Sequence, residues 1–329
     1  QTETGVLEVH LSGTINDTDP SFGYGRSLHV QGIATLDGTL RITRRDGYTA
    51  RPGDYFTILT ADFGIDGGGG LRGLGEPDTP VNRQAFFKKV EGILDTGDPN
   101  VFWGDDYDLS TAGEHAVRIV ALRTPWRIAG TGATGDPEHP YRGVPELLTP
   151  DVVAGRSSID HVVLLSHGTA DSVDLAGGHA LGEIGIGMHR LVQARGRDRD
   201  FEIIMLDWRE YSTDGPGSGF AACLGLGDGA TFGTDDSRNR GFQPYETARF
   251  GQLYARAVLQ YFQEVGLDVG KLSSLHTLGH SSGSYVADGI FDVLADPDIS
   301  PFGGNKPAET HLTLFDAYLP PAHGGTIFH

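Results

Sequence analysis

From about residue 159 the chain alternates apolar runs of strand length with segments whose apolar residues recur at helical spacing. No other feature constrains the fold as much. His161 to Leu165 and Phe201 to Leu206 are short apolar runs. Gly178 to Ala194 carries Leu181, Ile184, Met188 and Leu191 at helical spacing, and Tyr245 to Val265 carries Phe250, Tyr254, Val258, Tyr261 and Val265 on one stripe. An apolar-flecked segment, Leu272 to Leu278, precedes a helical segment from Ser284 to Leu294, and His311 to Phe315 follows. Strands alternating with helices are expected to form a parallel sheet covered on both faces. Active sites of such sheets lie at the carboxyl ends of the strands. His167, Ser281 and Asp316 each fall just after a strand-like run, so they are expected to share one edge of the sheet.

The first 123 residues have a different rhythm. Short alternating runs recur at Val6 to Leu11, Leu28 to Ile33, Leu40 to Thr43, Tyr55 to Leu59 and Val117 to Leu122. Turn signals separate them, as at Asp37-Gly38 and Pro52-Gly53-Asp54. This portion is expected to be an all-β domain. Residues 124–158 are rich in Pro, Gly and Thr with little periodicity and are expected to be a linker, with Trp126 and Tyr141 free to dock on either neighbour. The domain at 159–329 is expected to be incomplete at its C-terminal end.

Within that second domain, Gly279-His280-Ser281-Ser282-Gly283 sits between a strand-like run and a helix-like one. In a chain with 49 glycines the bare pattern arises readily by chance, so its context carries the weight. Strand, Gly-x-Ser-x-Gly, helix is the setting of a nucleophile elbow. Gly279 and Gly283 let the backbone turn sharply, and Ser281 is held out as the attacking group. The alternative is a Gly/Ser turn between two core elements. A serine nucleophile needs a base, a group that orients the base, and donors for the oxyanion. Ser166-His167-Gly168-Thr169 follows the first strand of this domain, so the amides of Thr169 and Ser282 are the oxyanion-hole candidates, with Gly168 as the loop glycine. Asp316, at the end of the strand after the elbow helix, is the candidate acid; Asp288 and Asp292 lie on the elbow helix and point elsewhere. The base is the gap. Only His323 and His329 follow Asp316, and His323, seven residues on, is too close to come easily from a later strand's loop. The catalytic histidine is therefore left unassigned, with His323 the weaker choice beside one beyond His329.

Residues 159 to 320 resemble the α/β-hydrolase superfamily, closest to its pancreatic-lipase-like branch. The residues that carry the resemblance are His167-Gly168, Leu206-Asp207-Trp208, the Gly251 to Gly266 helix, Gly279-His280-Ser281-x-Gly283 and Asp316, in that order. It implies an α/β-hydrolase domain, a mostly parallel sheet with helices on both faces. It also implies a lipase or esterase that cleaves carboxylic esters through a Ser281 acyl-enzyme with Asp316 as acid. Ser282 departs from the usual leucine, and the single cysteine, Cys223, rules out the family's disulfides. Most of residues 28 to 122 resemble a β-strand module at the end of many bacterial surface and secreted proteins, including β-solenoid and autotransporter-like ones. The matching stretches are Ala34 to Ile42, Pro52 to Thr60, Phe102-Trp103 to Tyr107 and Val117 to Leu122. That resemblance implies a secreted or cell-surface bacterial protein. A surface adhesion or binding protein with an inactive hydrolase-like domain is the competing function.

A net charge of −19 argues against nucleic acid or an anionic membrane surface as a partner. No apolar run reaches the length of a transmembrane span. An ester or lipid substrate is the expected partner. The acidic loops at Asp228 to Asp236 and Asp296-Pro297-Asp298 could attract calcium, but neither has EF-hand spacing, so no metal or other cofactor is expected. The Gly- and Asp-rich stretch from Tyr211 to Phe242 could form a lid or an exposed loop. The chain starts at Gln1 and ends after Ile327-Phe328 at His329, which suggests a fragment or mature segment.

Overall fold

The computed structural model describes residues 5–12, 28–45, 47–61, 64–66, 86–108, 115–138, 140–156, 158–168, 180–208, 244–281, 283–297 and 299–315. The described residues before 124 form nine strands: β1 Val6–Leu11, β2 Leu28–Val30, β3 Ile33–Thr35, β4 Thr39–Arg44, β5 Tyr55–Ala61, β6 Gly64–Asp66, β7 Lys89–Glu91, β8 Val101–Asp108 and β9 His115–Arg123. Their pairing is that of a winding chain. β1, β4 and β7 stack in parallel, β2 stacks on β5, and β3 on β6, all in parallel register. The first two coils therefore repeat the same three faces, the geometry of a parallel solenoid. The winding ends where β9 inserts antiparallel between β5 and β8. Alternation does the packing: Leu40 and Ile42 of β4 are buried while Arg41 between them is exposed. Phe56 and Trp103 meet edge to face at 5.8 Å inside the coils.

The remaining strands are β10 Trp126–Ala133, β11 Tyr141–Leu147, β12 His161–Ser166, β13 Phe201–Leu206, β14 Ser274–His280 and β15 Glu309–Phe315. The helices are α1 Pro150–Ala154, α2 Ala180–Ala194, α3 Pro244–Glu264 and α4 Gly283–Ala295. The six strands form one sheet in the order β11-β10-β13-β12-β14-β15. β13, β12, β14 and β15 are mutually parallel, whereas β10 runs antiparallel to both β13 and β11. Successive residues of the central strands face opposite sides. Val163, Leu165, Ile203, Met205 and Leu278 pack with Leu181 and Ile186 of α2. Val162, Leu164, Ile204, Leu206 and Leu275 join the core that holds α3 and α4.

Two expectations are corrected. The chain does not have the expected fold class, an α/β-hydrolase domain with a mostly parallel sheet and helices on both faces, truncated at its C-terminus, plus an N-terminal all-β domain. Strands make up 41% of the described residues against four α-helices, and the sheets outside the six-stranded one are small or mixed. Residues 124–158 are not a bare linker. Gly130, Gly132, Gly143 and Pro145 dilute the alternation in the sequence, yet β10 and β11 form a hairpin that makes the six-stranded sheet mixed. Trp126 and Tyr141, which open these strands, pack on the α2 side, where the Arg190 guanidinium lies 3.3 Å from the centre of the Tyr141 ring.

The two portions share a core. Phe102 of β8 meets Tyr261 of α3 at 4.7 Å between ring centres. Arg256 of α3, fully buried, donates to Asp105 of β8 and to the Phe87 carbonyl. Tyr107 donates to the same carboxylate at 2.7 Å. Burial and then the Asp105 charge hold the Tyr107 hydroxyl well above its ordinary pKa, so it stays a donor.

Candidate functional site

Ser281 follows the last residue of β14, and α4 begins two residues later. The β12–β14 ladder pairs Ser166 with Gly279, which brings His167 and Gly168 alongside His280 and Ser281 at the carboxyl edge of the sheet. Ser281 has a φ of 51°, and it is the one non-glycine residue with positive φ among the described residues. The left-handed region costs an L-residue about 1–2 kcal/mol, so its neighbours must hold it there. Two main-chain bonds do so. The Ser281 amide donates to the Phe315 carbonyl at 2.9 Å, and the Ser284 amide donates to the Ser281 carbonyl at 3.1 Å.

Close approach explains the glycines. A Cβ on Gly283 would lie 2.3 Å from the His167 carbonyl oxygen and 2.4 Å from that of Ser166. A Cβ on Gly168 would meet the Ser281 Cβ at 2.9 Å and the His280 carbonyl oxygen at 3.1 Å. Gly279 presses on the first turn of α4 in the same way, 2.6 Å from the Ser284 Cα. Strand, loop and helix backbones thus converge on one half-buried serine.

His167 anchors the facing loop. Its ring is 1% exposed and stacks on Trp208, whose indole N–H donates to the His167 carbonyl at 2.8 Å. The Trp208 amide donates to His167 Nε2 at 3.1 Å. An Nε2 that accepts leaves the proton on Nδ1, and Nδ1 lies 2.8 Å from the Gly168 carbonyl oxygen, to which it donates. Asp207, 4% exposed, places Oδ1 3.4 Å from Nε2.

The candidate residues Ser281, Gly279, Gly283 and Gly168 come together at this edge. Thr169, Ser282, Asp316 and His323 lie outside the described residues. The residue before Asp316, Phe315, pairs with His280 in the β14–β15 ladder. Asp292 accepts from Gln252 Nε2 at 2.7 Å on the α3 side of the elbow helix. Burial, and then the Asp292 charge, push the Asp288 carboxyl up to about 7. Sequence reasoning gave no role to the Trp208 clamp. Its signal was the Asp207-Trp208 pair directly after an apolar run. Among the described residues no group of three or more His, Cys, Asp or Glu side chains could hold a metal ion, and no helix is long and apolar enough to cross a membrane. Compared with family models, with curated proteins and with solved structures, the chain matches nothing in any of the three.

Proposed function

We propose that this protein is a serine hydrolase that cleaves carboxylic esters, with Ser281 as nucleophile. One observation carries the reading: a non-glycine residue held at a φ of 51° on a strand-to-helix turn, pressed by the backbone of a facing loop. Backbone strain of this kind concentrates at functional sites. In the proposed mechanism a histidine base takes the Ser281 proton as Oγ attacks the ester carbonyl. The oxyanion that forms is held by the amides of Thr169 and Ser282, beside the positive end of the α4 dipole. Collapse of the tetrahedral intermediate expels the alcohol, protonated by the same histidine. Water activated by that histidine then releases the acid and restores Ser281. Asp316 is the proposed orienting acid; the bond from the Ser281 amide to the Phe315 carbonyl ties the end of β15 to the nucleophile turn.

The test is hydrolysis of a short p-nitrophenyl ester by the full-length protein. Ser281→Ala is expected to abolish it with folding intact; equal rates in the variant and the parent overturn the assignment. The stacked parallel coils favour a second reading, a secreted or surface binding protein whose elbow is inert. In that case the folded protein turns over no ester.

A further inference from the structure

We propose that His276 of β14 and His311 of β15 form an acid-sensitive latch. Near neutral pH it holds β15, and with it the Ser281 turn, against the sheet; acid loosens both. The latch stands on the strand geometry, and its effect on catalysis rests on the hydrolase reading.

The ladder sets the two rings side by side. β14 and β15 run parallel, and His276 is the Cα partner of His311. Residues two apart on a strand share a side, so His276 lies on the face where Leu278 packs with α2. The ring centres are 5.7 Å apart, with the planes at 64°. His276 Nε2 is also 2.8 Å from the Thr313 hydroxyl oxygen of β15. His276 is partly buried, whereas the His311 side chain is exposed.

Among the described residues β15 is the end strand of its sheet and pairs with β14 alone. Such a strand opens more readily than the centre of a sheet. Its far end bears on the site. The Phe315 carbonyl accepts the Ser281 amide at 2.9 Å, one of the two bonds that hold Ser281 at a φ of 51°. Opening of β15 removes that bond.

Burial, and then the His311 charge, hold the His276 imidazole below its ordinary pKa of 6.5. Strand opening returns the ring to water and parts it from His311. The open form therefore binds a proton more readily than the closed one. Closure is at full strength above pH 6.5 and weakens as pH falls below it. It stays weakened once His276 is protonated in the closed form as well. The Thr313 bond does not offset this, because a hydroxyl pairs with the neutral ring and with the cation alike.

The surrounding charges leave His311 as the one that acts on His276. Glu309 Oε2 is 3.8 Å from His311 Nε2, with both side chains exposed, so solvent screens that pair. On β12, His161 Nδ1 is 2.7 Å from the Ser274 hydroxyl oxygen, and Asp160 and Arg197 sit at its Nε2. His280 lies at the end of β14 beside the turn. On α2 the groups are Glu183, His189 and Arg190. Arg190 lies over Tyr141, and burial, then Arg127, Asp198 and Arg156, act on His189.

The test is amide hydrogen exchange on the full chain at pH 8 and pH 5, each rate taken relative to its unfolded-chain value. Protection of the Ser281 amide is expected to fall by about 3-fold or more at pH 5, the effect of like charges placed opposite each other on paired strands. The Leu165 amide, in the central strand β12, is expected to keep its protection. His276→Gln retains a partner for Thr313 and does not titrate, so the acid loss at Ser281 is expected to vanish. His311→Gln, a change at an exposed side chain, is expected to shrink the loss. Thermal unfolding at pH 8 checks that the variants fold. Equal Ser281 protection at both pH values in the parent overturns the latch, and so does a loss in both variants as large as the parent's. If His276→Gln does not fold, His311→Gln decides alone by the same criterion. For catalysis, kcat on a p-nitrophenyl ester is followed over the same range. An active parent is expected to lose about 3-fold more activity at pH 5 than His276→Gln, beyond the titration of the catalytic base that both share. Equal profiles overturn the control of catalysis. A folded parent inactive at both pH values overturns the hydrolase reading, and the exchange result still decides the latch.

Discussion

Replacing Ser281 by glycine and, separately, by alanine isolates the strain in the nucleophile turn. Both variants remove the hydroxyl, so both lose ester hydrolysis. They differ in backbone freedom. With φ at 51°, alanine keeps the left-handed penalty of about 1–2 kcal/mol, whereas glycine adopts this region at no steric cost. Glycine also gains freedom in the unfolded chain, which offsets about 0.4–1 kcal/mol of that relief. The net expectation is that Ser281→Gly is more stable than Ser281→Ala by roughly 0.5–1 kcal/mol, on the order of 2 °C in the unfolding midpoint. Denaturant titration of the two variants side by side measures the difference, since contacts of the hydroxyl cancel. If alanine proves as stable as glycine, Ser281 is not held left-handed in solution, and the strained-elbow reasoning fails.

Other expectations test neighbouring parts. Gly168→Ala places a Cβ 2.9 Å from that of Ser281 and is expected to cut ester hydrolysis by at least about 10-fold; an unchanged rate means the loop and the elbow do not touch. For Asp288, folding favours the protonated carboxyl, because its folded value of about 7 lies above the ordinary 3.8. Its destabilising contribution is absent below pH 4 and grows as pH rises towards 7. The bound is about 4 kcal/mol, reduced by partial exposure to the order of 2 kcal/mol. Asp288→Asn is therefore expected to match the parent at pH 4 and exceed its stability at pH 8, which melting curves at the two pH values check. Arg256→Met leaves Asp105 buried without its cation and is expected to cost about 3–5 kcal/mol in a denaturant titration, most of it recovered when Asp105 is also made apolar.

The sequence made some elements legible for a physical reason. β12 and β13 are buried on both faces, so they read as short apolar runs, and the apolar residues of α2, α3 and α4 recur at helical spacing. Ser281 stood out because a sharp turn between strand and helix needs Gly279 and Gly283 beside it. The hairpin of β10 and β11 did not stand out, because glycines and a proline replace its alternating apolar residues. The winding of the described residues before 124 was hidden as well. Val6 pairs with Thr39, and Thr39 with Lys89, and pairings so far apart leave no local period.

Labelling with a fluorophosphonate, followed by peptide mass mapping, probes the central assignment most directly. The account predicts a single stoichiometric adduct on Ser281, lost in Ser281→Ala. Folded full-length protein that takes up no label, or takes it up on another serine, contradicts it.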